Sequence, residues 1–328
     1  MAASNETARR VEMFSTMVRI RAFERAAVAA LNEGEAPGVV HPSIGQEAVA
    51  VGVCANLRRA DRITSTHRGH GHAIAKGSDI GAMMLELYGR AGGSCGGKGG
   101  SMHIADFAAG MLGANGVVGA GIPIACGAAQ AIRLRREDAI VACFFGDGAV
   151  NRGPFLEGLN WAALYRLPVL FVCEDNGLAA FTRNSAVTAG PGPGARAEAC
   201  GVPARGVDGE NVLAVDAVAS ELVALIRSGA GPQFLHARCY RWEGHTGTDP
   251  AAYRPAEEAE EARGRDAIRR LTHALVADGV PRHDLARIER DVAAEMEALR
   301  EAARAAPWPV PEAAFTDVQD AGAPSWRA

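Results

Sequence analysis

The sequence has no uninterrupted apolar run of membrane-spanning length, and Met1 to Arg10 are too polar to form the apolar core of a signal peptide. It contains no CxxC pair: its seven cysteines, at 54, 95, 126, 143, 173, 200 and 239, are an odd number, and Cys143 and Cys173 fall inside apolar runs. That usage reads as buried, reduced thiols and sets the expectation of a cytoplasmic protein. Basic charge is not in excess, with 34 Lys and Arg against 38 Asp and Glu for a net charge of −4, so no electrostatic footprint for nucleic acid is present. The chain also lacks a GxGxxG fingerprint and a phosphate-loop lysine. What remains is 328 residues, 48% hydrophobic and 22% charged, enough for one large α/β domain with extensions.

The most informative stretch runs from Ala139 to Gly177. An apolar run (Ala139 to Phe145) ends at Gly146-Asp147-Gly148, an amphipathic segment follows, and a second apolar run (Val169 to Cys173) ends at Glu174-Asp175-Asn176-Gly177. Two short apolar runs around a helical pattern predict a βαβ crossover in a parallel sheet buried on both faces. Asp147 and Asn176 then emerge at the carboxyl edge, where ligands of open α/β sheets bind. Gly146 and Gly148 permit a close approach to phosphate oxygens, and the amides opening the next helix supply donors. A carboxylate and a side-chain carbonyl are hard ligands of the type that Mg²⁺ accepts together with phosphate.

Around this unit, residues 7 to 33 carry a buried stripe (Val11, Phe14, Met17, Val18, Phe23, Ala27), and Gln46 to Leu57 form a second helical pattern. Arg62 to Thr66 is a strand candidate that delivers His67, Arg68 and His70 to its end. The glycines between Gly92 and Gly100 are interrupted by Lys98 and followed by Ser101, Met102 and His103, which favours an ordered loop over a linker. Ala120 to Arg135 is an Ala- and Gly-rich helix; Ser185 to Ala195, rich in Gly and Pro, is expected to be mobile. Strands are expected at Val202 to Val207 and Gln233 to Tyr240, with a helix at Ala214 to Arg227 between them, and the second strand leads to Gly244-His245. Leu285, Ile288, Val292, Met296 and Leu299 give a helical stripe for core or subunit contact, and Pro307, Pro309 and Pro311 precede a tail through Trp326. The expected organisation is a helical segment at 1–60, a ligand-binding α/β region at 61–250 and a helical extension with its tail at 251–328, within one structural domain.

Six further stretches accompany the Gly-Asp-Gly unit in order: Pro37 to His41, Ile44 to Ala48, Thr64 to Gly71, Gly96 to His103, Ala114 to Gly119 and Gly244 to Pro250. Together they resemble the α subunit of the thiamine diphosphate-dependent decarboxylating component of 2-oxo acid and acetoin dehydrogenase complexes, across roughly residues 10 to 310. The resemblance implies a doubly wound parallel sheet with helices on both faces. It implies Mg²⁺ on Asp147, Asn176 and the Leu178 carbonyl, and cofactor contacts from His67, Arg68, Gly116, Val118, Gly146, Asp147, Gly148, Ala149, Asn176, Leu178, Ala179 and His245. His245, then His70, are the candidates for proton handling or for the substrate carboxylate, and Tyr253 and Arg254 match a loop that closes over the site.

The glutamate that activates the thiazolium ring in such enzymes is implied to lie on a separate β subunit, giving an α2β2 assembly. The implied reaction is decarboxylation of a 2-oxo acid with acyl transfer to the lipoyl arm of an acyltransferase. Acetoin cleavage by the same residues is the alternative, and a non-catalytic cofactor-binding scaffold is the third reading. Three departures carry further expectations. Asp175, in place of a usual asparagine, should point away from the metal, and Leu178 for tyrosine should matter little if only its carbonyl binds. The smaller Val39, Pro42 and Ser43 should widen the substrate entrance.

Overall fold

The computed structural model describes residues 2–317; Trp326, at the end of the expected tail, lies outside them. In chain order the helices and strands are α1 (Ala2–Asn32), α2 (Glu47–Cys54), β1 (Arg62–Thr64), α3 (His70–Lys76), α4 (Ile80–Leu87), α5 (Gly121–Arg135), β2 (Val141–Gly146) and α6 (Gly153–Leu164). They continue with β3 (Val169–Asp175), β4 (Leu178–Ala179), β5 (Thr182–Arg183), α7 (Pro193–Ala199), β6 (Ala204–Asp208), α8 (Val212–Arg227), β7 (Gln233–Arg238), α9 (Ala256–Gly264), α10 (Ala267–Ala277) and α11 (Arg282–Ala305).

Five strands form one parallel sheet in the order β1-β2-β3-β7-β6, and β4 and β5 form a small antiparallel pair beyond its edge. The expected β2-α6-β3 crossover is present, with Val141 level with Val169 and Gly146 level with Glu174. The alternation of side chains explains why both runs are uniformly apolar. Ala142, Phe144, Leu170 and Val172 pack into a core shared with α1, α2, α8, α10 and α11. Val141, Cys143, Phe145, Val169, Phe171 and Cys173 face the opposite core, beneath α5 and α6. The fold is therefore α/β, doubly wound, with helical extensions that belong to the same core as the sheet.

The seven cysteines are unpaired, and Cys143 and Cys173 are fully buried. In the C-terminal stripe Leu285, Val292 and Met296 are buried and Ile288 and Leu299 pack against them, so that stripe is core. No helix among the described residues is long and apolar enough to cross a membrane.

Some local structure departs from the sequence expectations. His70 opens a helix, α3, which ends at Gly77 in the left-handed conformation (φ 97°), and α4 is capped by Asp79, whose carboxylate accepts the Ala82 N–H at 2.8 Å. The Ser185 to Ala195 segment is tethered: Asn151 Nδ2 donates to Thr188 Oγ1 at 2.8 Å, α7 begins within it at Pro193, and just beyond it Arg196 donates to the Val150 carbonyl at 2.8 Å. Helix α1 is pinned by Arg21, which pairs with the buried Glu47 of α2 and donates to Asp266 at 3.0 Å.

Candidate functional site

At the carboxyl edge of the sheet lies a cavity of about 360 Å³. The chain brings to its wall His67, Arg68, Gly116, Val118, Gly146, Asp147, Gly148, Ala149, Asn176, Leu178, Ala179 and His245. His70 is not among the lining residues. It is fully buried behind them, with Nδ1 2.9 Å from Glu24 Oε2 and Nε2 3.0 Å from Ser101 Oγ.

Asp147 follows the last residue of β2 in a short 3-10 turn and is 1% exposed. Its Oδ2 is buried with no hydrogen-bond partner among the described residues. Burial and the neighbouring Asp175 carboxylate push the Asp147 carboxyl up to about 7. Asn176, just past β3, donates from Nδ2 to Gln46 Oε1 at 2.8 Å and accepts the Leu178 N–H on Oδ1 at 3.2 Å. An unpartnered buried carboxylate oxygen, an amide oxygen and the segment carrying the Leu178 carbonyl on one wall form a hard-oxygen donor set, which fits a small divalent cation. A Cβ on Gly146 would meet nothing closer than 4.0 Å, so the backbone there is open to a ligand.

Two buried arginines also line the cavity. Arg68 is 5% exposed; Nη1 donates to the Pro42 carbonyl at 2.8 Å and Nη2 to the His245 carbonyl at 2.8 Å and to its Nδ1 at 3.0 Å. Arg241, 2% exposed, donates to the Ala180 carbonyl at 3.1 Å and to the Tyr253 hydroxyl at 2.9 Å. Burial, with Arg241 nearby, brings the Arg68 guanidinium down to about 9. Burial and Arg68 together push His41 down to about 3, His67 to about 2 and His245 to about 4, so all three imidazoles are neutral at pH 7. Their nitrogens lie within 4.8 Å of one another, a spacing that a metal could close. The two guanidiniums in their field instead favour an anion there.

Two expectations from the sequence are corrected. Asp175 does not turn away: its carboxyl neighbours Asp147, with Oδ2 2.7 Å from His236 Nε2 and Oδ1 accepting the Gly177 N–H at 3.1 Å. Burial opposes ionisation of Asp175, but the His236 and Gly177 hydrogen bonds outweigh it and hold the carboxyl below the usual range. Nor do Val39, Pro42 and Ser43 shape the entrance, because none lines the cavity and the Ser43 hydroxyl is turned to Glu24 at 2.7 Å.

Sequence reasoning also left out part of the lining: His41, Gln46, Ser65, Met102, Glu174 and Arg241. The first two sit in motifs that pointed to the site, whereas Glu174 and Arg241 gave no signal beyond their places at strand ends. Glu174 is held by His72 Nε2 at 3.3 Å, and His72 Nδ1 lies 2.7 Å from Ser65 Oγ. The glycine-rich loop is folded around the buried Glu86, whose carboxylate accepts the N–H groups of Cys95, Gly97, Gly99 and Gly100 at 2.6–3.0 Å. Gly97 (φ 78°) is obligatory there, since a Cβ would stand 2.7 Å from the Arg90 carbonyl oxygen.

Comparison with known proteins gives a consistent picture. The dehydrogenase E1 component family matches residues 15–312. The α subunits of acetoin:2,6-dichlorophenolindophenol oxidoreductase from Cupriavidus necator and Bacillus subtilis are 46% and 43% identical to this chain, over 93% of it and 92% of each of them. The pyruvate dehydrogenase E1 component α subunit of Zymomonas mobilis is 38% identical, over 94% of this chain and 88% of its own length.

Proposed function

The chain belongs to the dehydrogenase E1 component family, and from that premise we propose that it is the thiamine diphosphate-holding half of a shared active site that cleaves an acyloin of the acetoin type. It is an α subunit of a thiamine diphosphate-dependent oxidoreductase. When bound, the cofactor supplies the electron sink for breaking a bond to a carbonyl carbon. The chain's own residues bind and orient it. Asp147, Asn176 and the Leu178 carbonyl hold Mg²⁺, and Arg68, His67 and His245 receive the diphosphate. Gly116, Val118, Gly146, Gly148, Ala149 and Ala179 bring backbone close to the ligand.

The observation that carries this reading is a buried, unpartnered Asp147 Oδ2 in a residue that lines the same cavity as two buried arginines, Arg68 and Arg241. His245, neutral at pH 7 and at the cavity wall, is the residue for proton transfer to or from the substrate oxygen. His70, enclosed between Glu24 and Ser101, acts behind the wall.

A β subunit completes the site. Glu174 is the glutamate at the wall of this chain, and it stands beside the metal ligands and is bound to His72, which leaves activation of the thiazolium ring to another chain. The faces of α5 and α6 support such a partner, since Ile124, Leu134, Leu156, Trp161 and Leu164 are solvent-exposed there. The assembly is α2β2 and passes a two-carbon acyl unit to a lipoyl arm, releasing acetaldehyde from acetoin. The higher identity to the two acetoin-directed relatives favours acetoin over a 2-oxo acid such as pyruvate, which is the second reading. Turnover of acetoin, pyruvate and branched 2-oxo acids by the chain co-expressed with its β subunit decides the matter. Strict pyruvate preference overturns the acetoin assignment, and tight thiamine diphosphate binding or substrate turnover by this chain alone overturns the shared site.

A further inference from the structure

Among the described residues Arg68 pairs with no carboxylate, yet its direction is fixed by one. The Pro42 carbonyl that accepts from Nη1 belongs to the same peptide unit as the Ser43 N–H, and that N–H donates to Glu24 Oε1 at 3.0 Å. A peptide unit is planar, so its two ends cannot turn independently. Holding the N–H on Glu24 aims the C=O at Arg68. The Ser43 hydroxyl adds a second bond to Oε1 at 2.7 Å, and Oε2 takes His70 Nδ1 at 2.9 Å. His70 in turn faces Ser101 Oγ at 3.0 Å.

Glu24, fully buried in α1 and absent from the cavity wall, thus ties together the segments that carry His41 and Gln46, His67 and Arg68, and Met102. The packing at this hub is tight, since a Cβ on Gly71 would lie 3.1 Å from Ser43 Oγ.

We propose that Glu24 is the positioning residue for recognition of the cofactor's diphosphate, acting on Arg68 through the 42–43 peptide and on the 67–70 segment through His70. The arrangement orients the guanidinium without neutralising it. A carboxylate in direct contact would cancel the charge that the diphosphate needs, whereas a carbonyl dipole leaves it available. Electrostatics agree: burial and Arg241 pull the Arg68 proton off, and Glu24 is the foremost group holding it on. Burial works against ionisation of Glu24 itself, but His70 and Ser43 outweigh it and keep the carboxyl below its usual range.

The inference rests on the cofactor assignment above, and the test separates the two. Thiamine diphosphate and unphosphorylated thiamine are titrated, with Mg²⁺, into the full chain co-expressed with its β subunit, and the ratio of their Kd values is the readout. Glu24→Gln keeps the shape but offers His70 a donor in place of an acceptor; Glu24→Asp keeps the charge but is one methylene too short to hold both partners. Each should reduce the preference for the diphosphate form by about tenfold or more. Ser101→Ala, which leaves Glu24 and the 42–43 peptide in place, should keep the wild-type ratio. Should Glu24→Gln fail to accumulate, Glu24→Asp carries the test. A ratio unchanged in the Glu24 variants, or parallel weakening of both ligands, overturns the inference. If the wild-type protein itself shows no preference for the diphosphate form, the cofactor assignment has failed and the role of Glu24 falls with it.

Discussion

Replacing Asp147 by Asn should make the cofactor-free protein more stable at pH 8 while removing its ability to bind thiamine diphosphate with Mg²⁺. Burial and Asp175 raise the Asp147 carboxyl from 3.8 to about 7, so the folded chain holds a proton that the unfolded chain releases. Folding is favoured by that proton at low pH, and the advantage is lost as pH climbs from about 4 through about 7. Across that interval the ceiling on the loss is about 4 kcal/mol at ~1.4 kcal/mol per pH unit. Asp175, whose own carboxyl is held down, returns part of this, so we expect about 2 kcal/mol, or about 3 °C in Tm for a chain of this size. The assay is thermal denaturation of wild type and Asp147→Asn without ligand at pH 5 and pH 8, repeated with Mg²⁺ and thiamine diphosphate. The variant's advantage should be small at pH 5 and full at pH 8, and the variant should gain nothing from ligand. A variant less stable than wild type at pH 8 would refute the view that this carboxylate is held at an energetic cost until a cation arrives.

Further outcomes follow from other parts of the structure. Arg68→Lys exchanges a planar fork for a point charge and should weaken thiamine diphosphate by about 100-fold while changing thiamine affinity little, as read by calorimetry. His245→Ala should lower turnover by about 100-fold or more even at saturating thiamine diphosphate, where its weaker hold on the cofactor is compensated, measured with acetoin and a dye acceptor. Glu86→Ala strips four amides of their acceptor and should cost about 3 kcal/mol, with hydrogen exchange accelerated at Cys95, Gly97, Gly99 and Gly100. The depressed His41, His67 and His245 resist protonation in the fold but not in the unfolded chain, so in the Asp147→Asn background, which removes the opposing Asp147 titration, ligand-free stability should fall as pH drops below 6.5 towards 4; a flat urea midpoint there would contradict their burial as neutral rings.

Much of the fold could be read from the chain because period and punctuation agree in it. The runs from Val141 to Phe145 and from Val169 to Cys173 are apolar at every position, which only a strand covered on both faces demands, and they lie in β2 and β3. The cavity lining was legible where local motifs carry it, as at His67-Arg68, Gly116 to Val118, Asp147 and Asn176. It was not legible where tertiary geometry alone decides. Glu24 lies in a long helix whose pattern marks it as one charge among several, and only the fold sets it under Ser43 and His70. Asp175 was assigned the wrong direction because nothing local reveals that His236, on the next strand over, waits for its carboxyl. Ser43 looked like a mouth residue for the same reason.

Val117 and Val118 form part of the cavity's rim and yet stand 65% and 47% open to solvent, as if a wall had been left for another molecule to build. Where two gene products are made in unequal amounts, surplus copies of this one would carry an unfinished site and stay idle. Output would follow whichever chain is scarcer, and no orphan copy would release a half-finished product into the cell.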